Sequence, residues 1–192
     1  MLARAVSLQV LNRRCLVLVD NCNWTGHECD VLGVTTDLRI IDVEVKISRS
    51  DLKADAKKDK WWDRRGWGHY ERVDGVRKHG PAPATARLYP PKVWKHYYAM
   101  PAEIWKPDLL ECLPSVTSGV LLFREQRNSS TPLAMTVERR AVANRDATRL
   151  RAEHVVDIAR LANLRMWEAY AQMEAREAEY VKHFFARWGQ PK

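Results

Sequence analysis

Three side chains in this sequence have the types and spacing to hold a divalent cation against a phosphodiester: Asp30 and, fourteen residues later, Glu44 and Lys46 on either side of Val45. Carboxylates are hard oxygen ligands suited to Mg²⁺ or Mn²⁺, and the backbone carbonyl of Val45 is a third candidate ligand. In an extended strand Lys46 shares a face with Glu44. There an ammonium can orient an attacking water and stabilise the charge that develops on the phosphoryl oxygens. Glu28 is either a further metal ligand or a polar residue at a strand entrance. Asp42 has the parity of Glu44 but lies farther from the strand end, where solvent or a salt bridge is the expected partner. An E-x-K triplet alone is a weak signal, because a solvated edge strand would carry the same charges.

The elements that must position these groups follow from hydrophobic periodicity. Residues 2–12 suit a short amphipathic helix, and 15–21 a strand. Asp30 to Val34 and Ile40 to Ile47 read as two strands joined by the hairpin-length TTDLR. Ile41, Val43, Val45 and Ile47 alternate with Ile40, Asp42, Glu44 and Lys46. A helix is expected to start just beyond, with Ser50 as its cap and Asp51 in the first turn. From Trp62 to Pro91 no stable period survives the glycines and prolines, which predicts a long basic loop. Further strands are expected at 95–100, 119–125 and over Leu-Ala-Met-Thr-Val from Leu133, with a turn or short helix near Pro107. From about Asn144 to Arg187 the chain lacks glycine and proline and predicts one long helix or two with a bend. Leu150, Val155, Ile158, Leu161, Leu164, Trp167 and Tyr170 form a stripe for packing on the sheet.

Net charge is +8, and positions 46–95 hold the whole excess, with 14 Lys and Arg against 6 Asp and Glu. Such a block marks an anion-binding surface, and nucleic acid is the large anion it fits. Lys53, Lys57, Lys58, Lys60, Arg64, Arg65, Arg72, Arg77 and Lys78 are the candidate phosphate contacts. Trp67, between two glycines, is the aromatic best placed to stack on a base, whereas Trp61 is expected to anchor the loop to the body. His69, His79 and His96 form no compact ligand pair in sequence. No Ser-His-Asp arrangement is present, which argues against covalent serine hydrolysis.

Cys22, His27 and Cys29 supply part of a zinc site, with Cys15 or Cys112 as a fourth ligand, but the spacing matches no compact finger. Free thiols in a reduced cytoplasm are the preferred reading. No run is apolar enough to span a bilayer, and arginines interrupt the N-terminal apolar residues, so neither a membrane partner nor a cleaved signal is expected.

The run Glu44-Val45-Lys46-Ile47-Ser48-Arg49-Ser50-Asp51-Leu52-Lys53-Ala54-Asp55 resembles the signature of the PD-(D/E)xK nuclease superfamily, in particular its MmcB-like and phage-encoded relatives. Tyr97 to Pro101 and Ser118 to Leu122 resemble later core strands of that group. The resemblance spans residues 13 to 145 and implies an α/β fold: a central mixed β-sheet flanked by helices, a restriction-endonuclease-like core. It also implies metal-dependent DNA cleavage, with Asp30 and Glu44 as ligands and Lys46 as the catalytic lysine. Residues 1–143 would then form the nuclease domain. Residues 144–192 would be a helical extension, packed on the core or used in a homodimer. Proline is missing before Asp30, and the 62–91 segment has no counterpart in the pattern. A noncatalytic DNA-binding or repair scaffold is the alternative, in a bacterial or phage-infected cell.

Overall fold

The structure is a computed structural model that describes residues 2–64, 70–80, 84–126 and 132–189. Helix α1 (Leu2–Val6) runs into a π-helical turn (Ser7–Leu11), then a meander of three strands follows: β1 (Cys15–Cys22), β2 (Cys29–Thr35) and β3 (Ile40–Val45). Helix α2 (Arg49–Asp55) and a 3₁₀ turn (Asp59–Trp61) come next. Short strands β4 (Trp62–Asp63), β5 (Tyr70–Val73), β6 (Val76–His79) and β7 (Thr85–Ala86) occupy the segment expected to be a loop. There β4 pairs with β7, and β5 with β6 as a hairpin. Strand β8 (Val93–Pro101), a 3₁₀ turn (Pro107–Cys112), β9 (Gly119–Glu125), β10 (Leu133–Arg139) and helix α3 (Ala152–Trp188) complete the order.

Six strands form one sheet in the order β1-β2-β3-β8-β9-β10. The meander and the β9–β10 pair are antiparallel, while β3–β8 and β8–β9 are parallel, so the sheet is mixed. Alternation in β3 sends Ile41 and Val43 into a cluster with Val6 and Leu11 of the N-terminal helical segment. The opposite face holds Ile40 against Ile158 of α3, and farther along Leu52, Trp61, Tyr98 and Met100. Both faces are therefore covered, as parallel pairing requires. Gln9 clasps the outer strand, its side chain donating to Leu133 O at 2.6 Å and accepting from Met135 N at 2.9 Å. Those bonds occupy backbone groups that an edge strand would otherwise leave open. Gly119 is fixed by space: a Cβ there would stand 2.6 Å from Ala141 N and run into the Tyr97 ring.

Several boundaries differ from the sequence expectation, each for a local reason. The cap of α2 is Ser48, not Ser50. Ser48 keeps extended backbone as the chain leaves β3, and its Oγ accepts from Asp51 N at 3.1 Å. Residues 144–151 are not helical because the body captures their backbone: Asn144 N donates to Trp94 O at 2.8 Å and Leu150 N to Leu38 O at 2.7 Å. Helix α3 is one helix, and its stripe packs on the sheet only as far as Leu161 and Ala162. Beyond that point Leu164, Trp167, Tyr170, Met173, Tyr180 and Phe184 are exposed. Among the described residues no helix is long and apolar enough to cross a membrane.

Candidate functional site

Where β3 ends, the ladder changes partners. Lys46 N donates to Ala99 O of β8 at 2.8 Å, while Val45 N donates to the carboxylate of Asp30, Oδ2, at 2.6 Å. Parallel pairing would return a bond to the Lys46 carbonyl from residue 101, but Pro101 has no N–H. The β3–β8 ladder thus stops beside Val45, and Asp30 is drawn onto the same short stretch of backbone that presents Glu44 and Lys46.

Glu44 and Lys46 are both buried, and Lys46 Nζ stands 3.0 Å from Glu44 Oε1. Two more ammoniums converge on Glu44: Lys60 at 2.9 Å from Oε2, and Lys58, which contacts Oε1. A second carboxylate, Asp55 from the end of α2, completes the cluster. Its Oδ1 accepts from Lys46 at 2.9 Å, and its Oδ2 accepts from Tyr98 OH at 2.6 Å and from Trp61 Nε1 at 2.9 Å. Burial pushes the Glu44 and Asp55 carboxyls up, but the lysines and the hydrogen bonds outweigh it and hold both below the usual carboxylate range. Burial also opposes the Lys60 charge, and Asp42, Glu44 and Asp55 overcome it and raise its pKa. At Asp30 the balance is reversed: desolvation, helped by Glu44, raises its pKa despite the bond from Val45 N. Two neighbouring carboxylates are thus pushed in opposite directions by their surroundings.

The lysines expected to touch phosphate divide into two groups. Lys53 on α2 and Lys57 just beyond its end are exposed, and Arg64, Arg72 and Arg77 are exposed as well. Arg64 pairs with Asp59 at 3.2 Å, and Arg72 lies directly opposite Arg77 in the hairpin. Lys60 is buried against Glu44, and Lys58 is half exposed above it. Lys78 lies on β6, whereas Arg65, Trp67 and His69 fall outside the described residues. Trp61 is the buried anchor that its sequence position suggested. Glu28 is exposed, and with His27, Lys58, Lys60 and Arg87 it lines a cavity of about 420 Å³.

One step toward the middle of β3, Asp42 is fully buried and not in solvent. His27 Nε2 lies 3.1 Å from its Oδ2, and His96 Nε2 lies 3.8 Å from the same oxygen. One ligand atom from each of His27, Cys29 and Asp42 lies within 4.8 Å of the others, a group able to coordinate a metal ion. Sequence spacing had suggested Cys22 and a distant cysteine in this role. It missed Asp42 and His96 because cross-strand neighbours are invisible until register is known. It also missed Tyr98, which register places opposite Glu44. Asp55, four residues after Asp51, was legible only as a motif position.

Fold and site define an α/β protein with a central mixed sheet flanked by helices and a buried His/Cys/Asp cluster able to coordinate a metal ion. No protein-family model and no curated protein matches the chain by sequence. The solved structure of SPO1766, a protein of unknown function from Silicibacter pomeroyi, is similar at a TM-score of 0.51 and 18% identity, covering 92% of this chain and 90% of that one. The likeness is one of fold.

Proposed function

We propose that this protein is a metal-dependent deoxyribonuclease of the PD-(D/E)xK kind. The observation that carries the proposal is the convergence of Asp30 and Glu44 on Val45, with the buried Lys46 ammonium 3.0 Å from Glu44. Asp30, Glu44 and the Val45 carbonyl are hard oxygen donors that fit Mg²⁺ or Mn²⁺, and Glu28 is near enough in sequence to join them. Lys58 is the half-exposed cation that must yield its place beside Glu44. A bound metal would supply charge to the phosphoryl oxygens and lower the pKa of a water.

The chain's own groups do the rest. Asp55 and Glu44 grip the Lys46 ammonium from two sides, so its orientation is fixed before substrate arrives. From there it orients water and stabilises developing negative charge. Lys58, Lys60 and Arg87 give one wall of the cavity a positive charge. Lys53, Lys57, Arg64, Arg72 and Arg77 extend that charge over the surface, and Arg65, Lys78 and Trp67 belong to the same basic segment. These contacts track backbone, so the partner is DNA without a prescribed sequence.

The exposed face of α3 supports a homodimer. In an antiparallel pair centred near Glu177, Trp167 and Tyr170 would meet the Phe184 end of the other copy, and Glu168 and Glu174 would face Arg187 and Lys182. Four unpaired cysteines suit the reducing interior of a bacterial or phage-infected cell.

The deciding experiment is cleavage of end-labelled linear, branched and closed circular DNA with EDTA, Mg²⁺ or Mn²⁺. Wild type is compared with Asp30→Ala, Glu44→Ala and Lys46→Met. Metal-dependent cutting is expected, with loss of metal binding in the carboxylate variants. Lys46→Met should keep metal binding yet lose at least about a hundredfold in rate. DNA binding without cutting by wild type on any substrate would sink the nuclease reading in favour of a noncatalytic scaffold.

A further inference from the structure

We infer that His27, Cys29 and Asp42, with His96 as fourth donor, form a transition-metal site for Zn²⁺, separate from the Asp30–Glu44 pair. The inference does not depend on nuclease activity. Its first support is the donor set, since imidazole, thiolate and carboxylate together suit zinc, whereas Mg²⁺ takes oxygen. Its second support is spacing. Tetrahedral zinc with bonds of about 2.0–2.3 Å sets its donors about 3.3–3.8 Å apart. The ligand atoms of His27, Cys29 and Asp42 already lie within 4.8 Å of one another, and His96 Nε2 is 3.8 Å from Asp42 Oδ2. Bringing the His27, Cys29 and Asp42 donors to that spacing needs shifts of about 1 Å.

The third support is unmet polar chemistry. Five buried side-chain atoms among the described residues lack a hydrogen-bond partner, and three of them belong to this cluster: His27 Nδ1, Asp42 Oδ1 and His96 Nε2. Native interiors rarely orphan such atoms, and still less often gather them in one place. The His96 ring is held at its other nitrogen, where Nδ1 lies 3.0 Å from Ser118 Oγ. If Nδ1 donates there, Nε2 presents a lone pair toward a carboxylate, and a cation is what reconciles two acceptors. Thr25 Oγ1, 3.5 Å from Cys29 Sγ and donating to His27 O at 2.8 Å, braces the thiol side. His27 borders the 420 Å³ cavity, which gives the ion a way in.

On binding, a Zn–S bond forms as the Cys29 S–H proton leaves to solvent, so affinity falls as pH falls. The metal would tie the turn after β1 to the centre of β3 and hold the strands that carry Asp30 and Glu44 in register.

The test is a Co²⁺ titration of the full-length reduced protein after chelator treatment and dialysis. One equivalent of Co²⁺ should produce a thiolate-to-cobalt charge-transfer band with tetrahedral d–d absorption, and Zn²⁺ should abolish both. His96→Gln should weaken binding at least tenfold, Cys29→Ala should remove the charge-transfer band, and Cys22→Ala should leave it intact. Asp30→Asn and Glu44→Gln should also leave it intact, so this result stands apart from the fate of the nuclease reading. Absence of the band in wild type, or its persistence in Cys29→Ala, would overturn the inference. Loss of the band in Cys22→Ala with Cys29→Ala unaffected would overturn it equally.

Discussion

Replacing Asp55 by asparagine isolates the charge that holds the lysine cluster together. The amide oxygen of Asn can take over the role of Oδ2, keeping the bonds from Tyr98 at 2.6 Å and Trp61 at 2.9 Å. The amide nitrogen then stands where Oδ1 accepted from Lys46 at 2.9 Å, donor against donor. Lys46 and Lys60, with side chains 3% and 1% exposed, are left to share Glu44. Removing one partner of a buried pair costs about 3–5 kcal/mol, a large part of the roughly 5–15 kcal/mol that stabilises a domain. Urea unfolding followed by tryptophan fluorescence should show that loss as a lower midpoint at unchanged m-value. The pH dependence adds a signature. The folded pKa of Asp55 is depressed, so its contribution is complete above its unfolded pKa of about 3.9 and fades as pH falls below it. The gap between wild type and Asp55→Asn should therefore shrink in that acid range. A loss under about 1 kcal/mol at neutral pH would refute the reasoning, because it would mean that water reaches the lysines.

The remaining expectations concern metal, DNA and assembly. Lys58→Ala should tighten Mn²⁺ binding by up to about fivefold in calorimetry, since a half-exposed pair is worth at most about 1 kcal/mol, and weaker binding would count against Lys58 as the competing cation. Replacing Arg72 and Arg77 together by glutamine should reduce the slope of log affinity for DNA against log salt by about two, and an unchanged slope would remove the hairpin from the interface. Light scattering should report a dimer for wild type and a monomer for a Trp167→Glu, Tyr180→Glu double variant, whereas a wild-type monomer would exclude the α3 pairing.

Where periodicity was strong, the fold was legible. Alternation in β3 placed Glu44 and Lys46 on one face, and the strand expected at 119–125 is β9. Capping geometry was less legible, because both Ser48 and Ser50 can serve and only the path of the chain out of β3 decides. The hairpin Tyr70–His79 was hidden by its short, highly charged strands. At the site, Asp30, Glu44 and Lys46 could be read as a trio, but Lys58 and Lys60 were read as open phosphate contacts. Sequence shows charge without showing burial, and it is the burial of Glu44 that makes Lys60, buried with it, and the half-exposed Lys58 its partners. Asp42 and His96 lay hidden for the same reason: they meet through β3–β8 register, across more than fifty residues of chain.

The parallel pairing of β3 with β8 also bears on the order in which the molecule is made. Every lysine of the buried cluster lies on the excursion from residue 46 to residue 92, whereas Tyr98 and Pro101 arrive only when β8 docks. Nonlocal pairing of this kind comes late, since loop closure precedes any return from contact. A chain that has formed its first three strands but not its fourth central one carries Glu44 and Lys46 in water, without Tyr98 to help fix Asp55. Assembly of the buried charge cluster is thereby tied to completion of the sheet, and on the proposed nuclease reading a nascent or partly opened molecule stays chemically silent.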